Sequence, residues 1–202
     1  DPVPKALIKV NNKEIIFYLL DNLVLNEKIS FIYIPYNKEY SEFDFENKIT
    51  NRYSNIKFKF FCLEKDTDGA AETINISINN LIKNEKINDQ PVLCLDSDNF
   101  YHSDIIKYWD GENVIFTFKN ELMNNKFSYI TCNDNNKILN IVEKEPISKS
   151  ACTGGYGFNS IFNLNNYCEK VIKNNIRQKN EFYTSCAIKE MLNDKIEFKN
   201  IE

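Results

Sequence analysis

The sequence predicts an α/β fold: a single Rossmann-like, three-layer domain built on a mixed, mostly parallel central sheet. Three observations carry that expectation. Strand-like and helix-like segments alternate along the 202 residues, as βαβ units require. Two short apolar runs, Phe31 to Ile34 and Val92 to Leu95, suit strands covered on both faces. The second run stops at Asp96 and Asp98, and ligands of open α/β sheets bind beyond such carboxyl ends.

Taken in order, Ala6 to Val10 reads as a short strand, Asn11-Asn12 as a turn, and Glu14 to Leu25 as a helix with one apolar face. Ser30 to Pro35 is a buried strand, followed by a polar, aromatic stretch with room for a helix. Ile56 to Leu63 alternates as a strand, and Gly69 opens a helix that turns Ala70, Ala71, Ile74, Ile78, Leu81 and Ile82 inward. After the acidic run, Ser103 or Asp104 can cap a short helix through Trp109. Val114 to Phe118, Tyr129 to Asn133 and Ile138 to Glu143 read as strands, the last two joined at Asp134-Asn135-Asn136. Asn159 to Phe162 is expected to end the sheet, before helices at Leu164 to Asn174 and Ser185 to Asn193 and a last strand, Ile196 to Phe198.

Composition narrows the partners. A net charge of -4 without any Lys/Arg block argues against a nucleic-acid or anionic-membrane surface. No apolar run approaches the ~20 residues of a membrane span. The six cysteines are scattered without a C-x-x-C pair, and His102 is the single histidine, so the pattern is that of a reduced, cytoplasmic protein without a zinc site. His102 follows the acidic run and can touch a ligand, although an exposed loop histidine is the commoner case.

The acidic run carries the chemistry. Alternate residues of an extended segment point the same way, so Asp96 and Asp98 can approach one Mg²⁺, a hard cation suited to carboxylates and phosphates. The competing reading makes Asp96 a strand-end cap and Ser97 or Asp98 a helix cap. Other candidates divide similarly. Lys5, behind the rigid Pro4, is either a point charge for a phosphate or a solvated lysine. Gly69 and Ala70 leave room for a planar base against backbone, or allow close helix packing. Lys144 can neutralise an acceptor phosphate with Glu143 orienting it, or the two form a surface ion pair. Gly154 and Gly155 admit a sugar close to backbone or mark a bulge. Glu181 either meets a ligand or stabilises the first turn of the helix that follows.

Four patches in order resemble the sugar-phosphate nucleotidyltransferase family: Asp1 to Lys13, similar to its "PKPLI-V-GKP" opening; Asp68 to Thr73; Leu95 to Tyr101; and Val142 to Ser148 with Ala151 to Phe158. The resemblance implies a GT-A-like fold and a Mg²⁺-dependent enzyme that joins a nucleoside triphosphate to a phosphorylated sugar or small alcohol, releasing pyrophosphate, for surface-glycan or capsule precursors. It implies catalytic roles for Lys5, Asp98 and Lys144, a metal site of Asp98 with Asp96, and ligand contacts by Gly69, Ala70, Asn99, Glu143, Gly154, Gly155 and Glu181, the last matching an acid that hydrogen-bonds the sugar. A homo-oligomer is compatible with it. The family's glycine-rich G-x-G-x-R loop and its second metal aspartate are not in the sequence, which is therefore expected to be incomplete at both ends of the one domain spanning residues 1–202. A GT-A type glycosyltransferase, which also uses an Asp-x-Asp strand end, and a non-catalytic regulatory subunit of the same fold are the alternatives.

Overall fold

A computed structural model describes residues 3–202, and the chain divides into two compact units. The first takes the chain up to Asp66 together with Asp96–Asp110; the second takes Thr67–Leu95 and Gly111–Glu202.

In the first unit the expected strand at Ala6 is instead a 3₁₀ turn, Lys5–Leu7, which buries Ala6 and Leu7. Pro4 explains the difference: its fixed φ starts the turn, and its carbonyl accepts the Leu7 N–H at 2.9 Å. Two-residue strands β1 (Lys9–Val10) and β2 (Lys13–Glu14) then form a hairpin through Asn11 and Asn12, both left-handed, as a tight primed turn requires. Helix α1 (Ile15–Leu23) buries Ile16, Phe17, Leu19, Leu20 and Leu23. Strands β3 (Ile32–Asn37) and β4 (Phe58–Leu63) pair in parallel, from Ile32↔Phe58 to Asn37↔Leu63. The crossover that parallel pairing demands holds a 3₁₀ segment, Lys38–Phe43, and helix α2 (Phe45–Arg52). Buried Phe45 packs against the rings of Tyr36, Tyr40 and Phe60, at centroid distances of 5.3, 4.9 and 6.3 Å.

The second unit begins with helix α3 (Ala70–Glu85), of whose predicted inward face Ala71, Ile78 and Leu81 are buried while Ala70 and Ile82 are exposed. Its sheet comprises β5 (Val92–Leu95), β6 (Val114–Lys119), β7 (Ser128–Cys132), β8 (Ile138–Glu143), β9 (Ser150–Phe158) and β10 (Lys199–Ile201), in the order β10-β6-β9-β7-β8 with β5 also on β9. The sheet is mixed as expected. β10 runs parallel to β6, and β5, β6 and β7 are each antiparallel to β9, so four strands share one direction; β9 and β8 oppose them. Helices α4 (Ile161–Lys173) and α5 (Thr184–Asn193) complete the unit, α4 packing on α3 and α5, and α5 on β8. Fully buried Tyr129, Phe158, Ile115, Ile188 and Met191 lie in this core.

Several expectations shift. Central strand β9 has no periodic apolar signal, because Ser-Ala-Cys-Thr-Gly-Gly-Tyr-Gly-Phe is small and glycine-rich. Asn159 to Phe162 does not end the sheet: Ser160 caps α4, its hydroxyl accepting the Asn163 N–H at 3.0 Å. The last strand, Lys199–Ile201, lies wholly after the expected Ile196 to Phe198, and Phe198 is a core residue. No helix follows Ser103; the segment forms turns, with Asp104 accepting the Lys107 N–H. Both apolar runs, Phe31 to Ile34 and Val92 to Leu95, are half-buried rather than buried. No helix among the described residues is long and apolar enough to cross a membrane.

Candidate active site

In the first unit, Lys5 is exposed at the start of the 3₁₀ turn. Asp96 and Asp98 are exposed and Asn99 is half-buried, with the Asn99 side chain accepting the Phe100 N–H at 2.8 Å. Because no helix follows, the helix-cap reading of Ser97 and Asp98 falls. The loop is fastened to α1: Phe100 packs on Tyr18 at 5.4 Å, and the Asn22 amide donates to the Tyr101 carbonyl. Tyr40 connects the two candidates. Burial raises its pKa, a hydrogen bond with the Ala6 backbone opposes this, and the charges of Glu39 and Asp98 add to the rise. The turn carrying Lys5 and the loop carrying Asp98 therefore both approach this tyrosine. His102 is exposed, its ring 5.6 Å from that of Phe100.

Sequence reasoning missed a groove of about 280 Å³ at the carboxyl ends of β3 and β4, lined by Asn37, Lys38, Glu39, Leu63, Glu64, Lys65 and Asp66. The parallel register brings Asn37 opposite Leu63, so the residues that follow both strands share one edge. The signal was present in the polar residues at the ends of two apolar strands, but it needs the pairing to be seen.

In the second unit, Gly69 is explained by packing. Its φ is +136°, and a Cβ there would lie 2.6 Å from the Phe182 carbonyl oxygen. Backbone bonds from Phe182 N–H to the Asp68 carbonyl and from Ala71 N–H to the Phe182 carbonyl, each 2.8 Å, hold the two segments together. Arg177 reinforces the contact, pairing with Asp68 at 2.9 Å and stacking on Phe182 at 3.8 Å. The exposed Glu181 is thereby placed beside the start of α3.

Lys144 follows β8 in a left-handed conformation, φ 53°, which is costly for a residue with a side chain. Its N–H donates to the Phe127 carbonyl at 3.0 Å, and its ammonium donates to the Tyr183 hydroxyl at 2.5 Å while lying 4.5 Å from that ring's centroid. The hydrogen bond to Tyr183 is the largest cause of an upward shift in the Lys144 pKa, to which the charges of Glu143 and Glu181 also contribute. Glu143 accepts hydrogen bonds from the hydroxyls of Ser128 and, at 2.6 Å, Ser185. Its carboxylate thus ties the end of β8 to β7 and α5, while the hydrogen-bond partner of the Lys144 ammonium is Tyr183. Gly154, φ +85°, lies in an irregularity where Ile115↔Tyr156 gives way to Thr117↔Cys152, so the bulge is present; buried Gly155 pairs with Leu95 of β5.

The second unit thus gathers Gly69, Glu181, Glu143 and Lys144 around the segment from Arg177 to Ser185, and the first presents Lys5, Asp96 and Asp98. No group of three or more His, Cys, Asp or Glu side chains able to hold a metal occurs among the described residues. A cation would rest on the Asp96 and Asp98 carboxylates and on ligand phosphates, a hard-oxygen set of the kind Mg²⁺ takes with one or two carboxylates.

The chain belongs to the nucleotidyl transferase family, whose model matches residues 2–198. Solved structures share its fold. A nucleoside-diphosphate-sugar pyrophosphorylase from Vibrio cholerae RC9 is 17% identical, with 98% of this chain and 82% of that one covered and a TM-score of 0.82. An inositol-1-phosphate CTP transferase from T. maritima is 14% identical over 98% of this chain and 76% of that one, with a TM-score of 0.75. The CTP:phosphocholine cytidylyltransferase of Streptococcus pneumoniae is 16% identical, covers 99% and 81%, and scores 0.72. No curated protein sequence matches the chain at a significant level.

Proposed function

We propose that this enzyme transfers a nucleotidyl group from a nucleoside triphosphate to a phosphorylated sugar or small alcohol, releasing pyrophosphate, in the synthesis of surface-glycan or capsule precursors. The observation that carries the reading is Lys144, a strained residue whose ammonium is held against Tyr183 in a chain of the nucleotidyl transferase family. A phosphate oxygen of the acceptor attacks the α-phosphorus, the bond from that phosphorus to the β-bridging oxygen breaks, and pyrophosphate leaves with the electron pair. Such transfer needs positioning and charge neutralisation more than covalent help from the protein.

Lys144 is assigned to the acceptor phosphate and Lys5 to the triphosphate. Asp98, with Asp96 in support, would hold Mg²⁺, which supplies phosphate charge neutralisation when bound. The β3/β4 groove, with Lys38 and Lys65, offers the nucleotide a further polar surface. Two of the structural relatives are a CTP transferase for inositol 1-phosphate and a CTP:phosphocholine cytidylyltransferase, which supports the breadth of the acceptor class.

The test is a matrix of CTP, UTP, dTTP and GTP against glucose 1-phosphate, inositol 1-phosphate and phosphocholine with MgCl₂, read as pyrophosphate release. Release that requires both partners in at least one pair is expected. Release from the triphosphate alone, or none across the matrix, overturns the reading.

A further inference from the structure

We propose that Tyr183 is a positioning residue that presets the Lys144 ammonium for the acceptor's phosphate. The inference rests on the reading of Lys144 given above and extends it to Tyr183. A lysine on a four-carbon stem samples many rotamers, and a point charge that must meet a phosphate gains from being held in advance. Tyr183 holds it through the hydroxyl, which accepts one ammonium proton at 2.5 Å with the ring centroid 4.5 Å from the charge. Two ammonium protons are left for phosphate oxygens.

Tyr183 is itself fixed. It directly precedes α5, and its flanks are clamped by the Phe182 backbone bonds and by the Ser185 hydroxyl on Glu143. Burial is the largest influence on its hydroxyl and raises its pKa; the hydrogen bond from Lys144 opposes the rise and the charge of Glu181 adds to it, so the phenol stays protonated while it accepts from Lys144. The charged groups acting on the ammonium are then Glu143 and Glu181, and both favour its protonated form.

The experiment compares wild type with Tyr183→Phe, which keeps the ring and removes the acceptor, and with Glu181→Gln. Acylation of Lys144 by acetic anhydride across pH 8 to 11, followed by mass spectrometry, reads the ammonium directly and needs no substrate. Removing the hydroxyl is expected to lower the pH at which Lys144 becomes reactive; Glu181→Gln should move it less, in the same direction. With the active triphosphate and acceptor of the matrix above, Tyr183→Phe should raise the acceptor KM about three- to tenfold and leave the triphosphate KM unchanged. An unchanged labelling profile overturns the positioning role. A shifted profile with an unchanged acceptor KM overturns its link to the acceptor. If wild type transfers nothing, the nucleotidyl-transfer reading fails on its own, and the labelling still decides whether Tyr183 positions Lys144.

Discussion

The two units place their candidate groups by different means. In the first, Lys5, Asp96 and Asp98 are exposed on a turn and a loop of a unit that also holds a two-stranded parallel sheet with an aromatic cluster. In the second, Gly69, Glu143 and Lys144 are built into the packing: one forbids a Cβ, one accepts two serine hydroxyls, and one is backbone-strained and tied to a tyrosine. The contrast teaches that replacing a group of the first kind should change chemistry alone, whereas replacing one of the second should also disturb the fold.

The largest effect is expected where that contrast is cleanest. Asp98→Asn keeps size and removes a charge, so turnover should fall at least about a hundredfold, roughly 2.7 kcal/mol in the barrier. Its melting temperature should stay near wild type because the side chain is exposed. Asp96→Asn should cost less. Pyrophosphate release within about tenfold of wild type in Asp98→Asn would remove the metal assignment.

Next, the lysines should separate by substrate. Lys144→Ala should raise the acceptor KM about tenfold or more, and Lys5→Ala should chiefly impair use of the triphosphate. Only Lys144→Ala should also lower stability slightly, since it alone has a bonded partner named above. Equal effects of both changes on both substrates would erase the assignment of one lysine to each unit's ligand.

Gly69→Ala turns the comparison toward stability. A methyl group 2.6 Å from the Phe182 carbonyl oxygen, on a backbone at φ +136°, should cost about 2 to 4 kcal/mol, or roughly 5 to 15 °C in melting temperature for a chain of this size. A shift below about 2 °C would mean that the Phe182 segment yields readily, and the contrast between the units would weaken.

These outcomes also mark what could be read from residues alone. The alternation of elements, the β7-β8 hairpin and the acidic end of β5 were legible because each has a local signal: period, turn residues, or apolar run followed by carboxylates. Strand β9 was not, since a central strand of small residues and glycines owes its place to neighbours on both sides. Asp96, Asp98, Lys5 and Lys144 could be named as candidates from residue type and motif. Tyr183 could not, because its role arises only when the residues before α5 fold against the end of β8, 39 positions away in sequence. Gly69 was visible, but the Phe182 backbone that occupies the place of its missing side chain came to view only in the fold.

The smallest effect tests whether the first unit has a lock of its own. Asp21 on α1 receives Lys13, the Tyr53 hydroxyl at 2.5 Å and Arg52 at 3.2 Å. Burial is the largest single influence and would raise its pKa, but the hydrogen bonds from Lys13, Tyr53 and Arg52 together outweigh it and leave the carboxyl below its ordinary value. A carboxyl depressed on folding adds stability that is present above its unfolded pKa of about 3.9 and is lost as pH falls through the lower folded value. Because Asp21 is about a third exposed, solvent screening limits the gain to about 1 kcal/mol or less. Asp21→Asn should therefore be less stable than wild type by that amount at pH 7, and the difference, measured by urea unfolding, should shrink toward zero as pH drops below about 3.9. A difference that persists at pH 2.5 would assign the effect to packing around Tyr53 instead of charge, and the first unit would then hold its helix by the same means as the second.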